Sequence, residues 1–347
     1  MKKYCYVFLI ILSSVFFAAC GAGPGSASES ASSPITHFEP LGNVSENNKN
    51  IYVILKVMDS SYWQVIKNGC AAAGADLGCN VYCGGTNNET DWQGQRVLIE
   101  EALAAKPDAI LLSPDDSVEL SSDIDKIHEL GIPIALIDTA ANTESFDICY
   151  MTDNLYAGQN AAKEMIARLR EAGYSDYDDV SVGIMVGTAK SQTINERLAG
   201  FYQFWSNNAP GKWNIISDIM NCNGNIDEGD VMANDFLSAH PDVLGLYATN
   251  NGPTRVLARV VKANDRRDIT VVGFDYSDEI RELIEDEDFR ASTVLQRQYD
   301  MGYEAVGSVL DILGGNTPPV RFIDTGVVTV NENTMSLPEI AEVIDMN

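Results

Sequence analysis

Short apolar runs alternate with longer amphipathic stretches over the first half of the chain. This alternation predicts strands over 51–58, 80–83, 109–112 and 134–138, and helices over 62–77, 91–105 and 118–130. Gly131-Ile132-Pro133 ends the last of these helices, because proline cannot continue a helix and glycine tolerates the backbone conformation at a helix end. Strands and helices in this order are typical of βαβ units around a parallel sheet.

The same alternation resumes in the second half of the chain. It predicts strands over 180–186, 214–220, 243–247 and 269–274, and helices over 157–172, 194–207, 227–240 and 253–264. We therefore expect an α/β protein with two successive parallel sheets, which form two lobes of similar size.

Polar residues directly follow several of the predicted strands. Ligands of open parallel sheets bind beyond the carboxyl ends of the strands, so these positions are candidates for a binding site. An Asn or Asp after a strand is also a common turn residue, which is the structural alternative for each of them. The candidates are Lys56, Asp59 and Ser60 after the first strand, Asp138 and Thr139 after the fourth, and Asn250, Asp275 and Gln296 in the second half.

The N-terminal segment has the pattern of a secretory signal peptide. Lys2 and Lys3 precede an apolar run over 4–17, which is shorter than the roughly 20 residues of a membrane-spanning helix. Phe17-Ala18-Ala19-Cys20-Gly21 resembles a lipoprotein lipobox, which implies a signal peptide of 1–20 and acyl chains on Cys20. A secreted protein with an incidental cysteine is the alternative. Residues 21–49 are rich in small and polar types, so we expect a flexible tether.

Composition limits the possible partners. The chain has 50 Asp and Glu against 23 Lys and Arg, a formal net charge of −27, which disfavours nucleic acid and suits a solvated surface. The three histidines are isolated in sequence and no cysteine spacing fits a zinc site, so neither a metal nor a cofactor is expected. A disulfide from Cys70 to Cys79 or Cys83 remains open. The other cysteines after Cys20 are Cys149 and Cys222.

Five segments carry a resemblance to a known family. They are Asp59-Ser60-Ser61-Tyr62-Trp63, Pro107-Asp108-Ala109-Ile110, Gly131-Ile132-Pro133 leading to Asp138, Val271-Val272-Gly273-Phe274-Asp275, and Asp300-Met301-Gly302. In this order they resemble the type I periplasmic binding proteins of the ribose- and galactose-binding group. The resemblance implies two Rossmann-like lobes joined by a hinge of three crossings. The N-terminal lobe would be 50–152 plus 298–324, and the C-terminal lobe 153–297 plus 325–347.

The resemblance also implies roles for individual residues. Tyr62 and Trp63 match an aromatic pair that stacks on a sugar ring, although either ring could instead pack the first helix against the sheet. Asp138 matches a carboxylate that accepts hydrogen bonds from sugar hydroxyls, with a helix cap or loop role as the alternative. The matching contacts on the second lobe are Arg197, Asn250, Asp275 and Gln296.

Two positions of the first lobe depart from a plain sugar pocket. Thr139 stands where the family often has an arginine, and the missing donors argue against ribose itself. Lys56 and Asp59 place charge beside the ligand, so a ligand with an anionic group, or a furanosyl signal, is an alternative. Lys56 could equally pair internally with Asp59 or Asp138. Residues 221–225 are expected to carry a further contact on the second lobe.

The functional prediction follows from the resemblance and from missing motifs. No nucleophile elbow, phosphate-binding loop or dinucleotide fingerprint follows a strand, so catalysis is not expected. We expect an extracytoplasmic monomer, anchored to the cell membrane through Cys20, that closes its lobes on a monosaccharide and delivers it to the permease of an ABC importer. A sensor that presents the same ligand to a receptor or a histidine kinase is the alternative.

Overall fold

The computed structural model describes residues 36–189 and 191–346, so the predicted signal peptide and the lipidation site at Cys20 lie outside the described residues. Up to residue 151 the chain forms β1 (Thr36–Pro40), β2 (Asn50–Leu55), α1 (Ser61–Leu77), β3 (Asn80–Gly85), α2 (Trp92–Ala104), β4 (Ala109–Leu112), α3 (Ser121–Glu129), β5 (Ile134–Ile137) and β6 (Ile148–Met151). It continues with α4 (Asn154–Glu171), β7 (Val180–Val186), α5 (Gln192–Asn208), β8 (Trp213–Ile215), β9 (Met220–Asn221), α6 (Ile226–Ala239), β10 (Gly245–Ala248), α7 (Asn251–Ala263), β11 (Thr270–Phe274), α8 (Asp278–Glu285) and β12 (Arg290–Gln296). It ends with α9 (Gln298–Leu313), β13 (Phe322–Asp324), β14 (Val327–Val330) and α10 (Pro338–Asp345).

The strands of the described residues form two sheets in which parallel pairs dominate. The first has the order β1-β3-β2-β4-β5-β6-β13, and the second has the order β14-β12-β11-β10-β7-β8 with β9 beside β7. Antiparallel pairs lie at the edges, where β1 meets β3 and β14 meets β12. Helices pack on both faces of each sheet and bury its apolar side chains in four clusters. The predicted α/β class with two parallel sheets is confirmed.

Each sheet with its helices is a lobe, and the described chain passes between the two lobes at three places. The first lobe contains the first sheet, α1, α2, α3 and also α9, which packs on α1 and β5. The second lobe contains the second sheet with α4 to α8 and α10. The chain crosses between β6 and α4, between β12 and α9, and between β13 and β14.

In each lobe two helices approach each other closely through glycines. A Cβ on Gly69 of α1 would lie 2.2 Å from the carbonyl oxygen of Tyr299, and one on Gly302 of α9 would lie 2.3 Å from that of Ile66. Real Cβ atoms do not come so close to backbone, so only glycine permits this packing. The second lobe repeats the device, with Gly158 of α4 against α5 and Gly200 of α5 against α4. The helices α9 and α4, which each follow a crossing, are thereby held against α1 and α5, whose first turns lie at the cleft.

Two sequence predictions need correction. Residues 36–40 of the predicted tether of 21–49 form the edge strand β1, so the prediction is wrong for this part. Phe38 of this strand packs edge-on against Tyr52 at 4.8 Å between ring centroids, and Gly84 opposite leaves room for it. The predicted strand over 214–220 is two short strands, β8 and β9, with a break at the polar residues Ser217 and Asp218.

The described residues also show whether the chain contains disulfides, metal sites or membrane-spanning helices. Cys70, Cys79 and Cys83 are buried free thiols, as are Cys149 and Cys222, so no disulfide joins them. No group of three or more His, Cys, Asp or Glu side chains in the described ranges could hold a metal ion. None of the helices within residues 36–189 and 191–346 has the length and apolar character to cross a membrane.

Candidate ligand-binding site

A cleft of about 1170 Å³ lies between the two lobes. Residues that follow the carboxyl ends of strands in both sheets line it, as expected for open parallel sheets. Thr139 is the one predicted site residue that lies behind the cleft wall. The predicted residues that line the cleft are Lys56, Asp59, Ser60, Tyr62, Trp63, Asp138, Arg197, Asn250, Asp275 and Gln296.

Asp138 is the centre of the polar cluster on the first lobe. It follows β5 in the left-handed region, with φ of 66°, and its N–H donates to the carbonyl of Tyr150 at 2.8 Å. The Tyr62 hydroxyl donates to Oδ1 at 2.5 Å, and the Thr139 hydroxyl donates to Oδ2 at 2.6 Å. These bonds hold the carboxylate in one orientation at the cleft wall. Thr139 therefore serves Asp138 in this structure and does not itself face the cleft.

Lys56 provides the countercharge of Asp138. Its Nζ lies 3.2 Å from Asp138 Oδ2 and donates to Thr139 Oγ1 at 2.7 Å. Burial by itself raises the pKa of Asp138, but Lys56 and the hydrogen bonds from Thr139 and Tyr62 outweigh it, so the pKa lies below its ordinary value. Of the alternatives for Lys56, the structure contains the internal pair with Asp138.

A second carboxyl lies close enough to Lys56 to interact with its charge. Burial raises the pKa of Asp115 to about 8, although Lys56 lowers it. The charges of Glu89 and Asp91 raise it further. Asp115 is thus largely protonated at neutral pH, which leaves Asp138 as the main countercharge of Lys56. Sequence reasoning did not single out Asp115, because nothing local marks it as buried.

The aromatic pair forms the wall beside this cluster. The rings of Tyr62 and Trp63 are perpendicular neighbours, with centroids 5.0 Å apart, and both side chains are buried. The Trp63 indole N–H donates to Glu89 Oε1 at 3.1 Å, and Lys56 Nζ lies 5.7 Å from the centre of the Trp63 ring. Asp59, which is exposed, and Ser60, which precedes α1, form the adjoining rim.

On the second lobe, Arg197 projects from α5 and is almost fully buried. Its guanidinium lies 3.8 Å from the ring centroid of Phe274, which adds a cation–π contact. Nε donates to Asn154 Oδ1 at 2.8 Å, and Nη1 donates to the carbonyl of Thr249 at 3.0 Å. The planar group is therefore held rigidly at the cleft.

Asp275 occupies the place in the second lobe that Asp138 occupies in the first. It follows β11 with φ of 68°, and its N–H donates to the carbonyl of Val294 at 2.8 Å. Gln296 Nε2 donates to Oδ1 at 2.8 Å, and the Asn251 N–H donates to Oδ2 at 3.1 Å. Burial raises the pKa of Asp275 to about 6, although Arg197 and Gln296 lower it.

Several cleft residues were missed by sequence reasoning. Gly187 follows β7, and a Cβ there would come within 2.5 Å of Asn250 Oδ1, so glycine leaves room for that amide. Thr193 and Ile194 also line the cleft, at the start of α5. The rule that placed the other candidates after strands could have found Gly187. Residues 222–225, part of the segment predicted to carry a further contact, also line the cleft, and Asn225 caps α6 by accepting from the N–H of residues 227 and 228 at 3.1 and 3.2 Å.

Comparisons with known proteins agree with this architecture. A family model described as the periplasmic binding protein domain matches residues 51–317. The ribose import binding protein of Bacillus subtilis is 24% identical over 315 residues, which are 91% of this chain and 94% of that protein.

Two solved structures are similar over most of the chain. A carbohydrate transporter solute-binding protein from Agrobacterium radiobacter, in complex with D-arabinose, has a TM-score of 0.80 at 28% identity and covers 86% of this chain and 100% of its own. An ABC transporter solute-binding protein from Agrobacterium vitis, with bound D-fucose, has a TM-score of 0.76 at 27% identity and covers 84% and 98%.

Proposed function

Because this chain belongs to the periplasmic binding protein domain family, we propose that it is the solute-binding component of an ABC importer for a small sugar. The family resemblance inferred from five sequence segments is confirmed by the match over residues 51–317. The similar proteins reported above are sugar import and solute-binding proteins of transporters. The protein accordingly binds its solute outside the cytoplasm, and its role is capture and delivery.

The observation that carries this proposal is the pair of carboxylates on opposite lobes. Asp138 and Asp275 both line the cleft, each held at the end of a strand, with Arg197 beside them on the second lobe. A sugar ring carries hydroxyls along its whole edge, so it can donate to both carboxylates while the guanidinium donates to a ring or hydroxyl oxygen. Such a ligand bonds both lobes at once.

The charge arrangement favours an uncharged sugar over an anionic ligand. An anion at Arg197 would face the carboxyl of Asp275, whose charge interacts with that guanidinium, and Lys56 is already paired with Asp138 at 3.2 Å. Inserting an anion there would break a buried ion pair, which is costly. A neutral monosaccharide leaves the pair intact and uses the remaining acceptor capacity of the carboxylate. The aromatic wall of Tyr62 and Trp63 covers the apolar C–H edges of the ring.

Binding is completed by closure of the lobes. The cleft of about 1170 Å³ is larger than the roughly 300–1,000 Å³ typical of ligand pockets, so a monosaccharide cannot fill it without movement of the lobes. Rotation of a few backbone dihedrals at the three crossings brings the second carboxylate onto the ligand. The closed form is the one that the permease recognises.

Titration calorimetry of the purified protein with D-ribose, D-arabinose and D-fucose tests the proposal. We expect one of these sugars, or a related aldose or ketose, to bind, and Asp275→Asn to weaken it by roughly 10- to 100-fold. The matched control is Asp235→Asn on the exposed face of α6, outside the cleft, which should bind like the wild type. A folded, ligand-free protein that binds no sugar in a wide panel would refute the proposal.

Two further features of the proposal have separate tests. We expect acyl chains on Cys20 to hold a monomeric protein at the membrane, so Cys20→Ala should move it to the soluble fraction with the corresponding mass difference. An unchanged distribution and mass would contradict the anchor. Deletion of the chain should abolish uptake of the bound sugar if it serves transport, whereas intact uptake with a lost transcriptional response would indicate a sensor.

A further inference from the structure

A chain of hydrogen bonds connects the two ligand-binding groups of the second lobe through the hinge. Arg197 Nε donates to Asn154 Oδ1 at 2.8 Å, and Asn154 Nδ2 donates to the carbonyl of Thr152 at 2.9 Å. The Thr152 hydroxyl donates to Gln296 Oε1 at 2.8 Å, and Gln296 Nε2 donates to Asp275 Oδ1 at 2.8 Å. All five residues are buried, with at most 4% of each exposed. We call these residues the hinge chain.

The hinge chain lies at two of the three crossings between the lobes. Thr152 follows β6 of the first lobe, and Asn154 opens α4 of the second, so the first crossing lies between them. Gln296 ends β12, directly before the second crossing to α9. The first crossing thus lies within the hinge chain and the second directly follows it, so two of the three places where backbone dihedrals change on closure adjoin these residues.

We propose that Thr152 and Asn154 are positioning residues that couple lobe closure to sugar binding by setting the orientation of Arg197 and Asp275. This inference rests on the proposed function. Neither residue lines the cleft, so neither would touch the ligand. Their effect passes through the two side chains that do.

Donor and acceptor types make the chain directional. The ionised carboxylate of Asp275 only accepts, so the Gln296 amide must turn its NH₂ group towards it. Its carbonyl oxygen then faces Thr152, whose hydroxyl is the matching donor. Without this hydroxyl the Gln296 oxygen is left buried and unsatisfied, and the amide loses the contact that keeps its NH₂ on Asp275.

The third crossing provides an internal control. Thr325 lies there, and its backbone N–H donates to the carbonyl of Met151 at 3.1 Å. Its hydroxyl is buried without a hydrogen-bond partner among the described residues. Thr325→Val and Thr152→Val thus make the same chemical change at two crossings of one hinge, and only the second removes a link of the hinge chain.

The test compares sugar affinity, closure and stability in Thr152→Val, Thr152→Ser and Thr325→Val. We expect Thr152→Val to bind the sugar about ten-fold more weakly, Thr152→Ser to restore binding because it keeps the donor, and Thr325→Val to stay within about two-fold of the wild type. Closure is followed by the distance between spin labels on the two lobes over a range of sugar concentrations. Thr152→Val should need more sugar to reach the same closed fraction. A purely structural residue would change the unfolding free energy and leave the affinity unchanged.

Equal affinities of Thr152→Val and Thr325→Val would overturn the inference, as would a failure of Thr152→Ser to restore binding. If Thr152→Val does not fold, Asn154→Leu interrupts the chain on its other side, and wild-type affinity there would overturn the inference equally. A folded wild-type protein that binds no sugar would instead refute the proposed function itself.

Discussion

The buried pair of Lys56 and Asp138 gives the sharpest prediction about stability. Asp138→Asn keeps a side chain of similar size and an oxygen that can accept from the Tyr62 hydroxyl. It removes the charge that lies 3.2 Å from Lys56 Nζ, in a pair whose two side chains are each only 9% exposed. The substitution therefore leaves an ammonium group buried with the Thr139 hydroxyl and a largely protonated Asp115 beside it.

Breaking a buried ion pair by removing one partner costs about 3–5 kcal/mol, because the remaining charge is uncompensated. We expect the lower end, about 3 kcal/mol of unfolding free energy at pH 7, since Asp115 can ionise when Asp138 no longer competes for Lys56. Lys56→Met in the same protein should recover about 2 kcal/mol, because it removes the stranded charge and keeps the length of the side chain.

Urea unfolding of the wild type, both single variants and the double variant measures this coupling. The expected result is a lower midpoint for Asp138→Asn at an unchanged m-value, and partial recovery in the double variant. The control is Glu282→Gln, which breaks the exposed pair with Lys262, whose side chains are 58% and 42% exposed. That change should cost less than about 1 kcal/mol.

The pH dependence of the same series has a definite sign. The pKa of Asp138 is lower in the folded protein than its ordinary 3.8, so its stabilisation is present at neutral pH and is lost only as the pH falls below that value. The contribution of Asp138 to the difference between wild type and Asp138→Asn should therefore be constant from pH 5 to 7, and any slope in this range measures the ionisation of Asp115 in the variant. A variant within about 0.5 kcal/mol of the wild type, or strictly additive effects in the double variant, would refute the reasoning.

Two other predictions concern the second lobe. Since the folded pKa of Asp275 is about 6 against an ordinary 3.8, the unliganded protein should lose on the order of 2–3 kcal/mol of stability as the pH rises between these values. Asp275→Asn should remove this pH dependence of the unfolding free energy in urea titrations. The sugar affinity of the wild type should decrease below about pH 6, where the carboxylate acceptor is protonated. An affinity that does not change between pH 5 and 7 would contradict this prediction. Gly158→Ala should cost about 1–3 kcal/mol and also weaken sugar binding, because its Cβ would lie 2.0 Å from the carbonyl oxygen of Arg197. Gly211→Ala, where nothing lies within 4 Å, is the control, and equal midpoints for the two alanine variants would contradict the packing argument.

Much of the fold was predictable because the strands are continuous apolar runs bounded by polar residues. β4 and β7 begin and end where the pattern predicts, and both are buried along nearly their whole length. The edge strand β1 was not predictable, because its five residues lie in a polar segment and depend on pairing with β3 and on the space beside Gly84. The local sequence pattern identifies strands that are themselves apolar. It misses polar strands such as β1, which form because they pair with a neighbouring strand.

The candidate site was also only partly predictable from the sequence. The positions after strands were predictable, and the structure brings Asp138, Arg197 and Asp275 to one cleft. The hydrogen-bond partner of each side chain was not predictable, because the partners are distant in sequence. Lys56 meets Thr139 across 83 positions of the chain, and Thr152 meets Gln296 across 144. Such contacts arise only when the lobes and the hinge have assembled.

The two carboxylates show how equivalent backbone positions acquire different chemistry. Asp138 and Asp275 follow corresponding strands with nearly equal φ angles of 66° and 68°, and each donates its N–H to the next strand. Burial raises the pKa of both, yet only Asp138 has a lysine ammonium in its own cluster, so its pKa falls below the ordinary value while that of Asp275 rises to about 6. Within this pair, the carboxyl of the first lobe therefore stays ionised to lower pH than the carboxyl of the second lobe. A sugar that bonds both should be released preferentially from the second lobe as the pH falls, because the carboxyl of that lobe is protonated first.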